Sequence, residues 1–580
     1  MVKKTIDLTD ILNPDTLASD ISNKYTEWNR GVDTWKQEKS ELRNFLYATD
    51  TKTTSVNKNG WRNSTTRPKL TQIKDNLHAN YFATLFPSSD WLKWEGHDAD
   101  ANTKEKAETI QSYMKTKLAQ SGYEATTSKS LDDYIQYGNC FSTVVYERGF
   151  TTKTSTGEDI PTYTGPRVVR ISPLDIVFDI TARDFGSAPK IIRSVLSLGE
   201  VKQIIEESPE NAAYEEVFRK MLSNRSMVSE SSDSYKSEGF VADGFTTINE
   251  YYQSGSVELL TFYGTLFDLE TETLHKERII TIVDRSYVLM NVENPSWLGN
   301  DGIFHAGWRE RPDNLMAMGP LDNLVGMQYR IDHLENLQAD IFDQIAAPKW
   351  KVIGDVEAWE DKPHERIYVG DEGDVVALRP DPTALNADFK IKELENSMEE
   401  MAGAPKQAMG IRTAGEKTAF EVQTLDNASG RIFQHKTAHF ERVFVEPLMN
   451  AFLESARRNM DQQETIVDTN SEGVSIFPDI TKEDIVGTGK LKPVGARHFA
   501  ERALRLQNLQ QLWQIKQGDP TVGVHLSGKM MAQVLSEELG EKDFFGENIG
   551  VAEGLDTQEA SREAEVEMEA GQETLAENEI

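Results

Sequence analysis

Residues 319–350 read GPLDNLVGMQYRIDHLENLQADIFDQIAAPKW, and the fold is decided there. Leu321, Leu324, Ile331, Leu334, Ile341 and Ile345 recur at mostly helical spacing, which predicts a helix over 320–346. Asp322, Asp332, Glu335 and Asp340 take the remaining surface. The helix should stop at Ala347-Pro348, because proline has no amide to continue it. A small mixed module follows over 348–386, with strands near KWKVIG, RIYVG and DVVAL. PDPTALN then leads into a second helix at 388–402, ended by Gly403-Ala404-Pro405. A loop rich in glycine and lysine spans 405–417. A long helical run covers 418–460, weakened at Gly430 and kinked at Pro447.

Upstream, residues 15–50 carry Trp28, Trp35, Leu42 and Phe45 at helical spacing, with Asp15 after Pro14 as the expected cap. A helix at 68–86 should bury Leu70, Ile73, Leu77, Tyr81 and Leu85 on one face. Residues 102–120, 124–138 and 197–223 also read as helical. Between them the period changes: 141–150 and 166–180 are β-rich. From Thr246 to Trp308 several β-type runs predict a small barrel or meander inserted in a mainly helical α+β protein. Downstream of the long helix, 461–495 is irregular, and 496–516 and 528–539 are helical. Residues 551–580 form a tail with ten acidic residues and one arginine, which reads as solvated.

The chain has 580 residues, more than one ordinary hydrophobic core organises, so two or more packed regions are expected. Its single cysteine, Cys140, excludes an internal disulfide or thiolate zinc cluster and fits a reducing compartment. No apolar run suggests a signal peptide or membrane span. The formal charge of −33 argues against wrapping nucleic acid on an outer face, which needs clustered lysine and arginine. It is compatible with plain solubility or with a repulsive wall along which DNA slides.

Chemistry finds no clear home. Gly410 to Thr418, GIRTAGEKT, has the glycine spacing of a phosphate loop, but Glu416 stands where the loop needs its Gly-Lys pair. Gly487 to Lys490, GTGK, lacks a strand before it and a helix after it. His435 and His439 are four apart, a possible metal pair without a third ligand in sequence. Asp175 and Asp179 bracket a strand-like segment and are expected to close turns rather than share a proton. No nucleophile elbow is present. No enzymatic activity, cofactor or metal is expected.

The order helix, small strand module, helix, glycine-lysine loop and long helix resembles the stem, clip, stem, tunnel loop and wing helix of tailed-bacteriophage portal (head-to-tail connector) proteins. Local strings carry the likeness. LFPSSDWLKW (85–94) resembles the early wing segment of connectors from short-tailed phages. ISPLDIVFDITARD (171–184) resembles the wing strand that many portals share. Residues 319–350 resemble the first stem helix entering the clip, and AGAPKQAMGIRTAGEKTAFEV (402–422) the second stem end, tunnel loop and next helix start.

The resemblance implies a portal fold divided into a wing (1–318, β-rich near 141–180 and 246–308), a first stem helix (319–347) and a clip (348–386). A second stem helix (387–404), tunnel loop (405–417), kinked wing helix and return (418–495), crown (496–550) and acidic tail (551–580) complete it. It implies a homo-oligomeric ring, in the family a dodecamer, at one capsid vertex of the virion, assembled in the host cytoplasm. Major capsid and scaffolding proteins, a terminase and then a tail adaptor would be its partners, and double-stranded DNA would pass through non-specifically, with no membrane involved. Lys406, Gln407, Arg412 and Lys417 would touch DNA. Trp350, Trp359, His364, Arg366 and Arg379 would form the clip docking surface. Leu324, Ile331, Leu334 and Ile341 would pack one stem against the next, although the same stripe is compatible with burial inside the subunit. Another ring-forming capsid-vertex protein, or a metal-dependent enzyme with a carboxylate site, stands as the alternative.

Overall fold

A computed structural model describes residues 3–47, 65–87, 91–97, 104–152, 159–207, 211–224, 256–294, 300–346, 349–354, 356, 367–378, 386–403, 431–460, 463–466, 468–469, 475–476 and 478–494. The chain is α+β. Its helices are α1 (Pro14–Gly31), α2 (Asp33–Tyr47), α3 (Lys69–Leu85), α4 (Lys104–Ser121), α5 (Tyr123–Gln136), α6 (Leu198–Glu207), α7 (Asn211–Asn224), α8 (Val325–Ala346), α9 (Asp388–Ala402), α10 (Arg431–Phe440) and α11 (Glu446–Asn459). The strands are β1 (Thr5–Leu8), β2 (Leu92–Gly96), β3 (Asn139–Thr152), β4 (Asp159–Ile171), β5 (Ile176–Phe178), β6 (Lys190–Ser197), β7 (Ser256–Asp268), β8 (Thr273–Val283), β9 (Tyr287–Glu293) and β10 (Ile303–Gly307). They continue with β11 (Arg309–Arg311), β12 (Asn314–Met318), β13 (Lys349–Ile353), β14 (Asp374–Leu378), β15 (Gln463–Thr465), β16 (Asp468–Thr469), β17 (Ser475–Ile476), β18 (Asp479–Thr481) and β19 (Gly489–Pro493).

Two compact units make up the chain. One comprises Met1–Phe82, Gly122–Val145 and Arg167–Phe452, the other Ala83–Ser121, Tyr146–Pro166 and Leu453–Ile580.

In the first unit, β5-β6-β7-β8-β9 form an open antiparallel sheet, and β1 adds to it parallel to the far end of β7. β6 covers β7 from Ser256 to Tyr263 and β1 covers it from Thr265 to Asp268. Of the barrel or meander expected, the meander is found, within an open sheet: β10 leaves it and pairs with β3 instead of closing back. Alternation along a strand tells which face is apolar but not which strand lies beside it. Leu17, Ala18, Ile21 and Tyr25 of α1 pack in the same core as Ile176, Phe178, Ile191, Leu260, Phe262 and Ile280 of the sheet.

The expected single helix over 15–50 is two helices, broken at Val32. Gly31 ends the first, where its backbone freedom makes continuation costly. The cap is Asn13, whose side chain accepts from the amide of Asp15, and not Asp15 itself; Pro14 occupies the first turn, where its missing amide is not needed.

The five apolar residues expected on α3, Leu70 through Leu85, are all buried. Tyr81 takes the indole N–H of Trp308 at 3.1 Å, and its ring lies 4.7 Å from that of Phe433 on α10. Gly138 sits at φ 73 directly against the backbone of Gly319, so tightly that a Cβ there would overlap the Gly319 nitrogen. That approach sets the point from which the chain enters α8. Between α10 and α11 a π-helical turn, Glu441–Val445, stands just before Pro447. The proline has no N–H for the Val443 carbonyl, and the wider turn makes room for its ring.

In the second unit, α4 packs on the β2–β19 ribbon. Lys117 of α4, buried, pairs with Glu464 at 2.7 Å and donates to the Thr164 carbonyl at 2.8 Å.

Candidate assembly interface

The region expected to carry function is the helix pair α8–α9 with the strand module between them. A short 3-10 turn, Asp322–Leu324, leads into α8, and Lys39 pairs with Asp322 there. α8 packs against α9, which buries Ile391, Met398 and Ala402 and ends at Gly403 with φ 74, the left-handed cap the sequence predicts.

One face of α8 is polar and buried: Gln328, Asp332 and Asn336, four residues apart. It holds residues 65–68, a strap outside regular secondary structure, and the first turn of α3 that follows. The amide N of Thr65 donates to Asn336 Oδ1 at 2.6 Å, and Asn336 Nδ2 donates to the Thr65 carbonyl at 3.0 Å. The amide N of Arg67 donates to Asp332 Oδ1 at 3.0 Å, and Gln328 Nε2 donates to the Arg67 carbonyl at 2.6 Å. Gln328 Oε1 accepts from the amide of Leu70 at 3.2 Å, satisfying a first-turn donor of α3. The strap thus gains from side chains the bonds a neighbouring strand would give its backbone.

The strap also ties the two helices. The Arg67 guanidinium reaches Glu335 of α8 at 3.4 Å and Glu395 of α9 at 3.0 Å. Lys69 and Glu399 form a buried ion pair at 2.5 Å. Asp332 is 2% exposed, and its Oδ2 is buried with no hydrogen-bond partner among the described residues. Burial pushes its carboxyl up to about 6, and nearby Glu335 adds to this, against the bonds from Arg67 N and Gln328.

The expected subunit-packing residues divide. Leu324 and Ile331 are fully buried within this chain, so they pack its own core and cannot face a neighbour. Leu334 and Ile341 are half-buried. Asp332, expected on the surface, is instead in the buried polar row, and Asp322 is half-buried against Lys39. Beyond Asn336 the helix pair emerges: Phe342 is 62% and Phe389 79% exposed, and Leu337 is exposed too.

β13 and β14 form a two-stranded antiparallel hairpin. Trp350 stands opposite Ala377 and is half-buried, with Val352 and Val375 next along the same face. Val352, Ile353, Tyr368, Val369, Val376 and Leu378 are all exposed. The expected docking residues Trp359, His364, Arg366 and Arg379 lie outside the described residues. So do the tunnel-loop residues Lys406, Gln407, Arg412 and Lys417, the crown and the acidic tail.

His435 is exposed on α10, and His439 lies 3.5 Å from Glu310. Among the described residues no group of three or more His, Cys, Asp or Glu could hold a metal ion. Asp179 pairs with Lys4 at 2.5 Å and accepts from the amide of Thr181, closing a turn as expected. Among the described residues no helix is long and apolar enough to cross a membrane. The polar row of α8 was the feature the sequence reading missed. Its signal is amide and acid side chains at intervals of four beside an apolar stripe.

No protein-family model matches the chain, and no curated protein matches it.

Proposed function

We propose that the chain is the portal subunit of a tailed bacteriophage, forming a ring at one capsid vertex through which the genome is packaged and later ejected. α8 and α9 are then the stem, β13–β14 the clip, and α10–α11 the wing helix. The observation that carries the reading is the outward excursion of α8, the hairpin and α9. Two-stranded hairpins are marginal alone in water, and this one exposes apolar side chains while joining helices that expose Phe342 and Phe389. Such an arrangement is expected of a subunit whose neighbours supply the missing cover. The order of these elements resembles that of the portal family.

On this reading the ring is a passive conduit. A terminase motor and then a tail adaptor dock on the clip, capsid and scaffolding proteins surround the wing, and the acidic subunits contact DNA weakly and without sequence preference. Negative-stain electron microscopy of the purified full chain tests it. Closed rings with a central channel are expected. Only monomers at every concentration in native mass spectrometry would overturn it.

A further inference from the structure

We propose that the strap of residues 65–68 is a proton-controlled latch on α8, in which Asp332 titrates and sets how firmly the strap is held. The inference concerns the subunit itself and does not depend on the ring reading.

Asp332 Oδ1 already receives two donors, Arg67 N and Gln328 Nε2. Its second oxygen has none among the described residues, although it is buried. A proton placed on Oδ2 removes the charge and leaves both bonds to Oδ1 intact. The ionised form keeps those bonds but holds a desolvated charge. The charged groups around it offer no relief. On α8, Glu335 repels it. On the strap, the Arg67 guanidinium is engaged by Glu335 and Glu395, and in the first turn of α3 Lys69 is engaged by Glu399. On α9, Glu395 and Glu399 are themselves acidic. Gln328 and Asn336, the other residues of the row, do not titrate.

The sign follows. A carboxyl held at about 6 in the closed latch returns to about 3.8 when the strap opens into water. Opening therefore becomes easier as pH rises, by roughly tenfold between pH 5 and 7.5. When the strap opens, the Arg67 bridge between α8 and α9 is lost with it.

Hydrogen exchange of the full-length chain, read by mass spectrometry on peptides covering 65–70 and corrected for intrinsic rates, tests the latch. Protection in the parent should fall roughly tenfold from pH 5 to 7.5. Asp332→Asn keeps an acceptor at Oδ1 and should stay protected at both values. Asn336→Ala should loosen the strap at both while keeping the pH slope. A parent without slope, or an Asp332→Asn variant with the parent's slope, overturns the proposal. Should Asp332→Asn not fold, Glu335→Gln decides: it must move the parent's midpoint to lower pH, and an unmoved midpoint also overturns the proposal.

Discussion

The side-chain amide of Asn336 bonds both polar groups of the Thr65 backbone, accepting from its N–H at 2.6 Å and donating to its carbonyl at 3.0 Å. A side chain here takes the place of a paired strand, and it does so between residues 271 positions apart. Asn336→Ala should leave both groups of Thr65 without those partners and cost about 1–3 kcal/mol, the lower part of the range if water reaches them. Urea unfolding checks the loss. An unchanged midpoint would mean the strap contributes nothing to the folded state.

A second prediction concerns Lys69 and Glu399, paired at 2.5 Å with side chains 8% and 4% exposed. Removing Lys69 takes away the cation that pairs with the buried Glu399 carboxylate. Lys69→Met should therefore cost about 3–5 kcal/mol. The double replacement Lys69→Met with Glu399→Leu should recover most of that, because no buried charge is left. Chemical denaturation of the four proteins gives the cycle. Additive losses would show that the two side chains do not interact.

These contacts also show where the sequence was legible. The apolar face of α3 was readable because Leu70, Ile73, Leu77, Tyr81 and Leu85 obey one period. The end of α9 was readable because Gly403 can take a left-handed conformation at low cost. The break at Val32 was hidden because the apolar period runs on through both helices. β1 was hidden because four residues, TIDL, carry too little pattern. The path of β10 to β3 depends on pairing across more than 150 residues, which local periodicity does not encode. The candidate site was legible as an order of elements. Its apolar stripe was read correctly as apolar, but periodicity could not say that Ile331 faces inward while Phe342 faces out.

A third prediction uses His305. Its ring is stacked with Phe141 at 4.7 Å and lies 4.8 Å from Phe185, and the residue is half-buried. Asn139 Oδ1 accepts from the amide of Ala317 and is the partner of His305 Nε2 at 3.0 Å, so Nε2 carries the proton. Burial lowers the imidazole to about 3. A neutral ring is favoured in the fold, so this contribution is complete above about pH 6.5 and is lost as pH falls toward 3. The loss is at most about 1.4 kcal/mol per pH unit. Its sign is opposite to that of Asp332, whose burden lightens on acidification. Thermal melts from pH 7 to 4.5 should show a steeper acid decline for the parent than for His305→Gln. Equal slopes would mean the ring titrates freely.

The last prediction separates burial within the subunit from burial between subunits. Ile331 is fully enclosed in one chain, so Ile331→Asp should unfold the subunit itself by placing an unpaired charge in its core. Phe389 is 79% exposed and Phe342 62% exposed, so neither contributes much to the isolated fold. Phe342→Glu with Phe389→Glu should leave monomer stability within about 0.5 kcal/mol of the parent for each change. If neighbours cover these rings, the same double variant should shift the protein from rings to monomers, since each interface would then bury new carboxylates. Denaturation reads the first effect and native mass spectrometry the second. Intact rings from the double variant would place the subunit contact elsewhere on the chain, whereas a destabilised monomer would show that these phenylalanines pack at home.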